Sequence, residues 1–249
     1  MRILLVNPNT TASMTEKAAV AARVVAASGT EIIAATSRMG PVSIEGHYDG
    51  ALAIPGLLAE LKERRTDGYD AAIIACFDDT GLDAARSLAG APVVGIGEAA
   101  FHMASLIAGK FSVVTTLARS VPAIEHNLAK YGLASRCAKV RSSDVAVLEL
   151  ERPGSNARHR ISQEIARAIR EDHAEAIVLG CAGMADLAHS LSEEHGVPVL
   201  DGVVCAVTLA ESLFKVGLKT SKIGGYAAPR GKRFAGMFAP LSPTQAEIV

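Results

Sequence analysis

An acid, a short apolar run and a cysteine occur twice in this chain. Asp70–Ala71–Ala72–Ile73–Ile74–Ala75–Cys76 is the first copy and Glu175–Ala176–Ile177–Val178–Leu179–Gly180–Cys181 the second. Short apolar runs of this kind read as buried parallel strands, each here ending in a thiol. The match continues downstream. Leu82 aligns with Leu187, and after one residue of slippage Ala91–Pro92–Val93–Val94 aligns with Val197–Pro198–Val199–Leu200. Each cysteine is therefore followed by a helix and another strand. The period is far too long for a solenoid, so the chain reads as two related α/β halves. Ligands of parallel α/β sheets sit beyond the carboxyl ends of the strands. If two such halves face each other about an approximate two-fold axis, both sulfurs approach one cleft from opposite sides.

Composition narrows the partners. The 249 residues suffice for one large or two small domains. A net charge of −1 without long charged runs gives no support to nucleic acid or a membrane surface as a partner. The absence of Trp and an aromatic content of 4% argue against a surface that stacks bases or sugars. The start, Met1–Arg2–Ile3–Leu4–Leu5–Val6–Asn7–Pro8, lacks the apolar core of a signal peptide and reads as a first strand. No stretch is apolar for about 18 residues, so no membrane span is expected. A cytoplasmic location with reduced thiols is the resulting expectation. Cys76, Cys137, Cys181 and Cys205 contain no C-x-x-C spacing, so no zinc or other metal site is expected.

Read in order, strands alternate with helices. Strands are predicted at Ile3–Val6, Thr30–Thr36, up to Cys76, Pro92–Gly95, Phe111–Thr116, Lys139–Ser142, up to Cys181, and at the Pro198 run. Helices are predicted near 12–27, 49–65, 98–108, 120–131, 156–172 and 201–216, and after each cysteine. Ser13 and Glu16 have capping-box spacing. Thr115 and Thr116 fall where the first half has Val6 and Asn7. This alternation predicts an α/β fold of two pseudo-symmetric domains, each a mostly parallel sheet flanked by helices, with the site in the cleft between them. The first domain takes residues 1–97 plus 206–249 and carries Cys76; the second takes 98–205 and carries Cys181. The segment beyond Gly217 is expected to pack back on the first half or to cross to a partner subunit.

A lone cysteine is usually a small hydrophobe, and Cys137 and Cys205 are read that way. Cys76 and Cys181 stand at strand ends before a predicted helix, whose N-terminus lowers a thiol's pKa. Matched thiols could form a disulfide, bind a soft metal or move protons. The reducing compartment disfavours the first, and the second wants ligands that no histidine pattern supplies. Proton transfer needs only a thiolate and a thiol on opposite faces of one carbon, which is what a racemase requires. Two buried structural thiols are the plain alternative. Asp78 and Asp79 precede a helix and read as acids favoured by its dipole. His47, His102 and His126 are scattered and read as structural or exposed.

The chain resembles the aspartate/glutamate racemase superfamily, and within it the hydantoin racemase branch that includes allantoin racemases. The resemblance is carried by Asn7–Pro8–Asn9–Thr10, Ser43–Ile44–Glu45–Gly46, Ala75–Cys76–Phe77–Asp78–Asp79, Thr115–Thr116 and Leu179–Gly180–Cys181–Ala182–Gly183–Met184. It implies a cofactor-independent two-thiol racemase, often a homo-oligomer, with Cys76 and Cys181 catalytic. Amino-acid racemases of this type tend to carry Asn-Thr after the first cysteine and Thr-His after the second. Phe77–Asp78 and Ala182–Gly183 stand there instead, leaving a wall suited to a neutral cyclic ureide. Asn9, Thr115, Thr116 and the amides after each cysteine are the expected donors to enolate charge. Ser43 is a loop residue that either lines the pocket or is solvated. Phe77 is core or pocket wall, and the repeat places it opposite Ala182, which favours the wall formed with Ala182 and Gly183 as substrate-binding positions. An aspartate/glutamate-type racemase, a related decarboxylase or cis–trans isomerase, and a non-catalytic two-lobed binding protein stay open.

Overall fold

The computed structural model describes residues 1–243; residues 244–249, which the sequence assigns to the first unit, lie outside the described residues. Eight strands form two four-stranded sheets, every pairing parallel. The first has the order β2 (Glu31–Thr36), β1 (Arg2–Asn7), β3 (Ala71–Ile74), β4 (Val93–Gly95). The second repeats it as β6 (Cys137–Ser142), β5 (Phe111–Thr115), β7 (Ala176–Gly180), β8 (Val199–Leu200). Between the strands run α1 (Ala12–Val25), α2 (His47–Glu63), α3 (Leu82–Leu88), α4 (Ile96–Ile107), α5 (Val121–Lys130), α6 (Ala157–Asp172) and α7 (Ala188–His195), and α8 (Gly202–Lys215) follows β8.

Side-chain alternation along the strands makes three apolar layers. Leu4, Val6, Ala72 and Ile74 face outward onto α2 and α3. Ile177 and Leu179 face outward onto α6 and α7. Ile3, Leu5, Ile73, Phe111, Val113 and Val178 point inward and share one central core with residues of α1, α4, α5 and α8. An aromatic row crosses that core. Phe77 meets Phe101 edge-on at 5.3 Å between ring centroids, and Phe101 stacks on Phe111 at 6.1 Å. The two sheets are thus tied by packing as well as by chain connections.

Several sequence expectations shift by small, explicable amounts. β3 stops at Ile74, and Ala75 still donates its N–H to Val6 O before the chain turns away. The Ser13–Glu16 capping box does not form: α1 begins after Thr11, whose hydroxyl donates to Val42 O instead. The helix expected after Cys181 is first a 3-10 run, Ala182–Leu187, and only then α7. Beyond Gly217 the chain lies along α3 and α2. Lys222 Nζ donates to Arg86 O, Tyr226 OH to Asp83, and Lys62 Nζ to Pro240 O and Ser242 O.

Candidate active site

Turns at the carboxyl ends of β1, β3, β5 and β7 converge on one cavity between the sheets. Cys76 and Cys181 both border it, and its volume of about 30 Å³ has room for about two waters. The halves present their sulfurs alike. The Asp78 amide N–H faces the Cys76 sulfur, and the Gly183 amide N–H faces that of Cys181. The Thr80 hydroxyl lies 3.3 Å from Cys76 Sγ.

The expected depression of the thiol pKa is overturned. Burial pushes both thiols up to about 12, and the Asp78 carboxylate adds to the rise at each. No α-helix starts at either cysteine, since α3 begins only at Leu82 and α7 only at Ala188. The amides, the Thr80 hydroxyl and the Lys17 charge near Cys181 pull the other way without prevailing. Burial also lifts Cys137 and Cys205 to about 12, so acidity does not single out the pair. Shared placement on one cavity does.

Of the residues singled out from the sequence, Asn9, Phe77, Thr116 and Ala182 border this cavity. Asn9 is fixed from behind. Its Oδ1 accepts from Asn7 Nδ2 at 2.8 Å and from Thr11 N at 2.9 Å, while its Nδ2 meets only the Met14 sulfur at 3.7 Å. An amide N–H there is therefore weakly engaged and aimed at the cavity wall. Ser43 is half-buried in the loop before α2 and does not border the cavity; its neighbour Ile44 does. Glu45 carries that loop across to the other half by accepting from Val147 N at 2.9 Å. Gly183 stands behind Cys181, its carbonyl taken by Lys17 Nζ at 3.3 Å.

Thr115 also stands behind the wall, and strand register explains why. Val6 pairs with Ile74 as Val114 pairs with Leu179, so Thr115 is the counterpart of Asn7 rather than of Val6. Matching hydrogen bonds agree: Ser37 N donates to Asn7 O as Ser143 N donates to Thr115 O. Both side chains are spent on structure, Asn7 tying its own turn at Asn9 and Thr115 donating across to Gly180 O of β7 at 3.0 Å. The pairing of Thr115 with Val6 and Thr116 with Asn7 is therefore corrected by one position.

Among the described residues, neither the Asp78 nor the Asp79 carboxylate hydrogen-bonds the amides of α3, the helix that follows them; Asp79 sits instead at the N-terminus of α4. Asp79, buried and at φ +49°, accepts from Gly97 N at 3.0 Å, Glu98 N at 2.8 Å and Tyr131 OH at 2.8 Å. A side chain at Gly95 or Gly97 would strike its carboxylate, so those glycines make the close approach possible. Burial pushes Asp79 up to about 7 against those three donors. The turn bearing Cys76 is thereby pinned to α4 and to the second half. Asn127 Nδ2 adds a bond to Asp78 O at 2.8 Å. Asp78 itself borders the cavity, and burial pushes its carboxyl up to about 6, with the His47 charge opposing. Met14, Ile44, Ser120 and Val147 complete the lining that sequence reading did not reach. Only Ile44 carried a signal, as a member of the Ser43–Gly46 motif.

Two like halves closing on one thiol-bordered cavity define an α/β enzyme acting on a small molecule, and the relatives make it a racemase. Residues 3–210 match the Asp/Glu/Hydantoin racemase family model. A hydantoin racemase from Rhizobium meliloti is 49% identical over 95% of this chain and 98% of its own. One from Pseudomonas sp. (strain NS671) is 46% identical over 95% of each. Among solved structures, allantoin racemase from Klebsiella pneumoniae superposes with a TM-score of 0.95 at 48% identity, covering 98% of this chain and 100% of that one. The chain belongs to the Asp/Glu/Hydantoin racemase family.

Proposed function

We propose that the chain racemises 5-substituted hydantoins, allantoin included, without a cofactor, using Cys76 and Cys181 as the two bases at ring carbon C5. The observation that carries this reading is the meeting of two matched thiols on one small, mostly apolar cavity. One sulfur, as thiolate, takes the C5 proton. The C–H electron pair moves into the adjacent carbonyl, giving a flat enolate. The other sulfur, as thiol, returns a proton to the opposite face, so no proton is gained or lost overall. Asn9 Nδ2 and the Thr116 and Ser120 hydroxyls are the donors offered to the enolate oxygen, whose charge forms only as the proton leaves.

A neutral ring suits the wall between Phe77 and Ala182. A zwitterion would bring charges whose desolvation costs several kcal/mol each unless partnered. Asp78 is the one feature favouring an amino-acid substrate, since its carboxylate could meet an ammonium. A homo-oligomer and a cytoplasmic location belong to the same reading. Exposed apolar side chains such as Val24, Ile223 and Met237 support the first, and four free cysteines the second.

The test is C5 proton loss followed by NMR in deuterated buffer, on allantoin, 5-methylhydantoin, L-aspartate and L-glutamate. Faster exchange on either amino acid than on both ureides refutes the substrate assignment. Cys76→Ala and Cys181→Ala are each expected to abolish racemisation, and one of them to keep C5 proton exchange on a single enantiomer. Near wild-type racemisation by either variant refutes the two-base mechanism.

A further inference from the structure

A two-base racemase finishes each turnover in the wrong protonation state. The thiolate that took the proton is now a thiol, and the thiol that gave one is a thiolate. Before the same enantiomer can react again, one proton must pass back between the sulfurs. In this protein both sulfurs sit in a cavity with room for about two waters, so bulk water alone is a poor carrier.

Asp78 occupies the place a carrier needs. It borders the cavity that holds Cys76 and Cys181, and it also borders a second groove of about 350 Å³ on the other side of the same turn. That groove is lined by His47 at the start of α2 and by His126 and Asn127 on α5, and both histidines are exposed. Asn127 holds the Asp78 backbone in place through its carbonyl. Among the described residues, no side chain hydrogen-bonds the Asp78 carboxylate, whereas the adjacent Asp79 carboxylate has three donors. The groups around Asp78 are thus the two thiols inward, Asp79 and Thr80 beside it on the groove side, with the Thr80 hydroxyl 3.3 Å from Cys76 Sγ, and His47 and His126 outward. The repeat places Gly183 at the matching position of the second half, so only one half supplies an acid. Resting on the two-thiol reading, we propose that Asp78 is the proton-return residue. It takes a proton from the spent thiol, gives one to the spent thiolate, and exchanges with the histidine-lined groove between turnovers.

One proton leaves one sulfur and one reaches the other, so each cycle closes with Asp78 in its starting form. A carboxyl lifted to about 6 is mostly ionised at pH 7 and lies nearer the thiols than an ordinary carboxyl, which lessens the uphill transfer from thiol to carboxylate. Asp78 acts through the thiols and not on the substrate. Its loss does not slow the first turnover, because removing its charge relieves the rise it adds to both thiols, but it slows the regeneration of free enzyme.

The test compares Asp78→Asn with wild type on one pure hydantoin enantiomer. Single-turnover C5 proton loss, with enzyme in excess, is expected not to fall, since the lost charge only favours thiolate. Steady-state kcat is expected to fall at least about 10-fold with KM falling in parallel, so that kcat/KM holds. Added formate or imidazole is expected to restore kcat in the variant only, and Asp78→Glu to keep most of it. A raised KM with lowered kcat/KM overturns the proposal in favour of substrate contact. A slowed single turnover assigns Asp78 to structure, and an unchanged kcat removes it from the cycle. Should Asp78→Asn not fold, Asp78→Glu and the dependence of wild-type kcat on His47→Ala with His126→Ala give the same decision. Cys76→Ala and Cys181→Ala run alongside. Racemisation surviving in either sinks the two-thiol reading and the return step with it. Its loss in both, with Asp78→Asn at wild-type rate, sinks the return step alone.

Discussion

Chemistry in this protein turns on single atoms, and burial sets their proton affinities. Both cavity thiols are lifted to about 12. The reactive thiolate is therefore a minor species at neutral pH, and its fraction grows about tenfold per pH unit below the pKa. Iodoacetamide inactivation is expected to be slow at pH 7 and to accelerate steadily to pH 10, with hydantoin protecting; peptide mapping at each pH checks this. A rate independent of pH across that window would contradict the burial argument. Asn9 offers a second residue-scale test. Asn9→Asp keeps the Oδ1 that accepts from Asn7 and Thr11 but removes the N–H facing the cavity. The loss expected is about 10² to 10³ in kcat with thermal stability near wild type, since one donor to a developing oxyanion is worth that much. The paired cysteines were legible because a repeated strand and thiol is a strong pattern. Asp78 was not, because an acid after a strand looks like a helix-dipole residue until the turn's direction is known.

At the scale of elements, the loop before α2 forms one side of the cavity and ties the two halves together. Ile44 borders the cavity, and Glu45 bonds the Val147 amide of the other half, while Asp49 Oδ2 accepts from Glu45 N at 3.0 Å. Glu45→Ala should loosen this closure and raise KM several-fold with little change in stability, since a single hydrogen bond contributes about 0.5–1.5 kcal/mol. Steady-state kinetics and a melting curve separate the two effects. Element types and order could be read from apolar periodicity almost throughout. Element ends could not: β3 stopped short of Cys76 and α2 began early, at His47. Those ends depend on tertiary bonds such as Ala75 N to Val6 O, which no local window contains. The one-residue error at Thr115 has the same origin, because register is a property of the paired strands.

Taken whole, the molecule has one core spanning both sheets, with Phe77, Phe101 and Phe111 in contact across it. Cooperative unfolding in a single transition is expected despite the internal repeat. The second half also holds a buried charge cluster. Arg141, 4% exposed, pairs with Asp172 at 2.5 Å and with Glu164 and Glu171 at 2.9 Å each. Removing one partner of such a cluster leaves buried charge uncompensated. Arg141→Ala leaves only Asp172 of the three acids without an ion pair, since Glu164 and Glu171 keep Arg167 and Arg170. A loss below the cost of breaking a fully buried pair, about 3–5 kcal/mol, is therefore expected in a denaturant titration, although no part of the cluster borders the cavity. A loss confined to a second, separate transition would show that the halves unfold independently.

The two walls of the cavity are unequal, Phe77 and Asp78 on one side and Ala182 on the other. Mirror-image substrates nonetheless have the same free energy in solution. No asymmetry of the protein can therefore favour one of them at equilibrium. The two directions must share a single value of kcat/KM, while kcat and KM are each free to differ. Phe77 can make one enantiomer bind more tightly only by making it turn over more slowly in proportion. Starting from either pure form, the optical rotation must decay to zero.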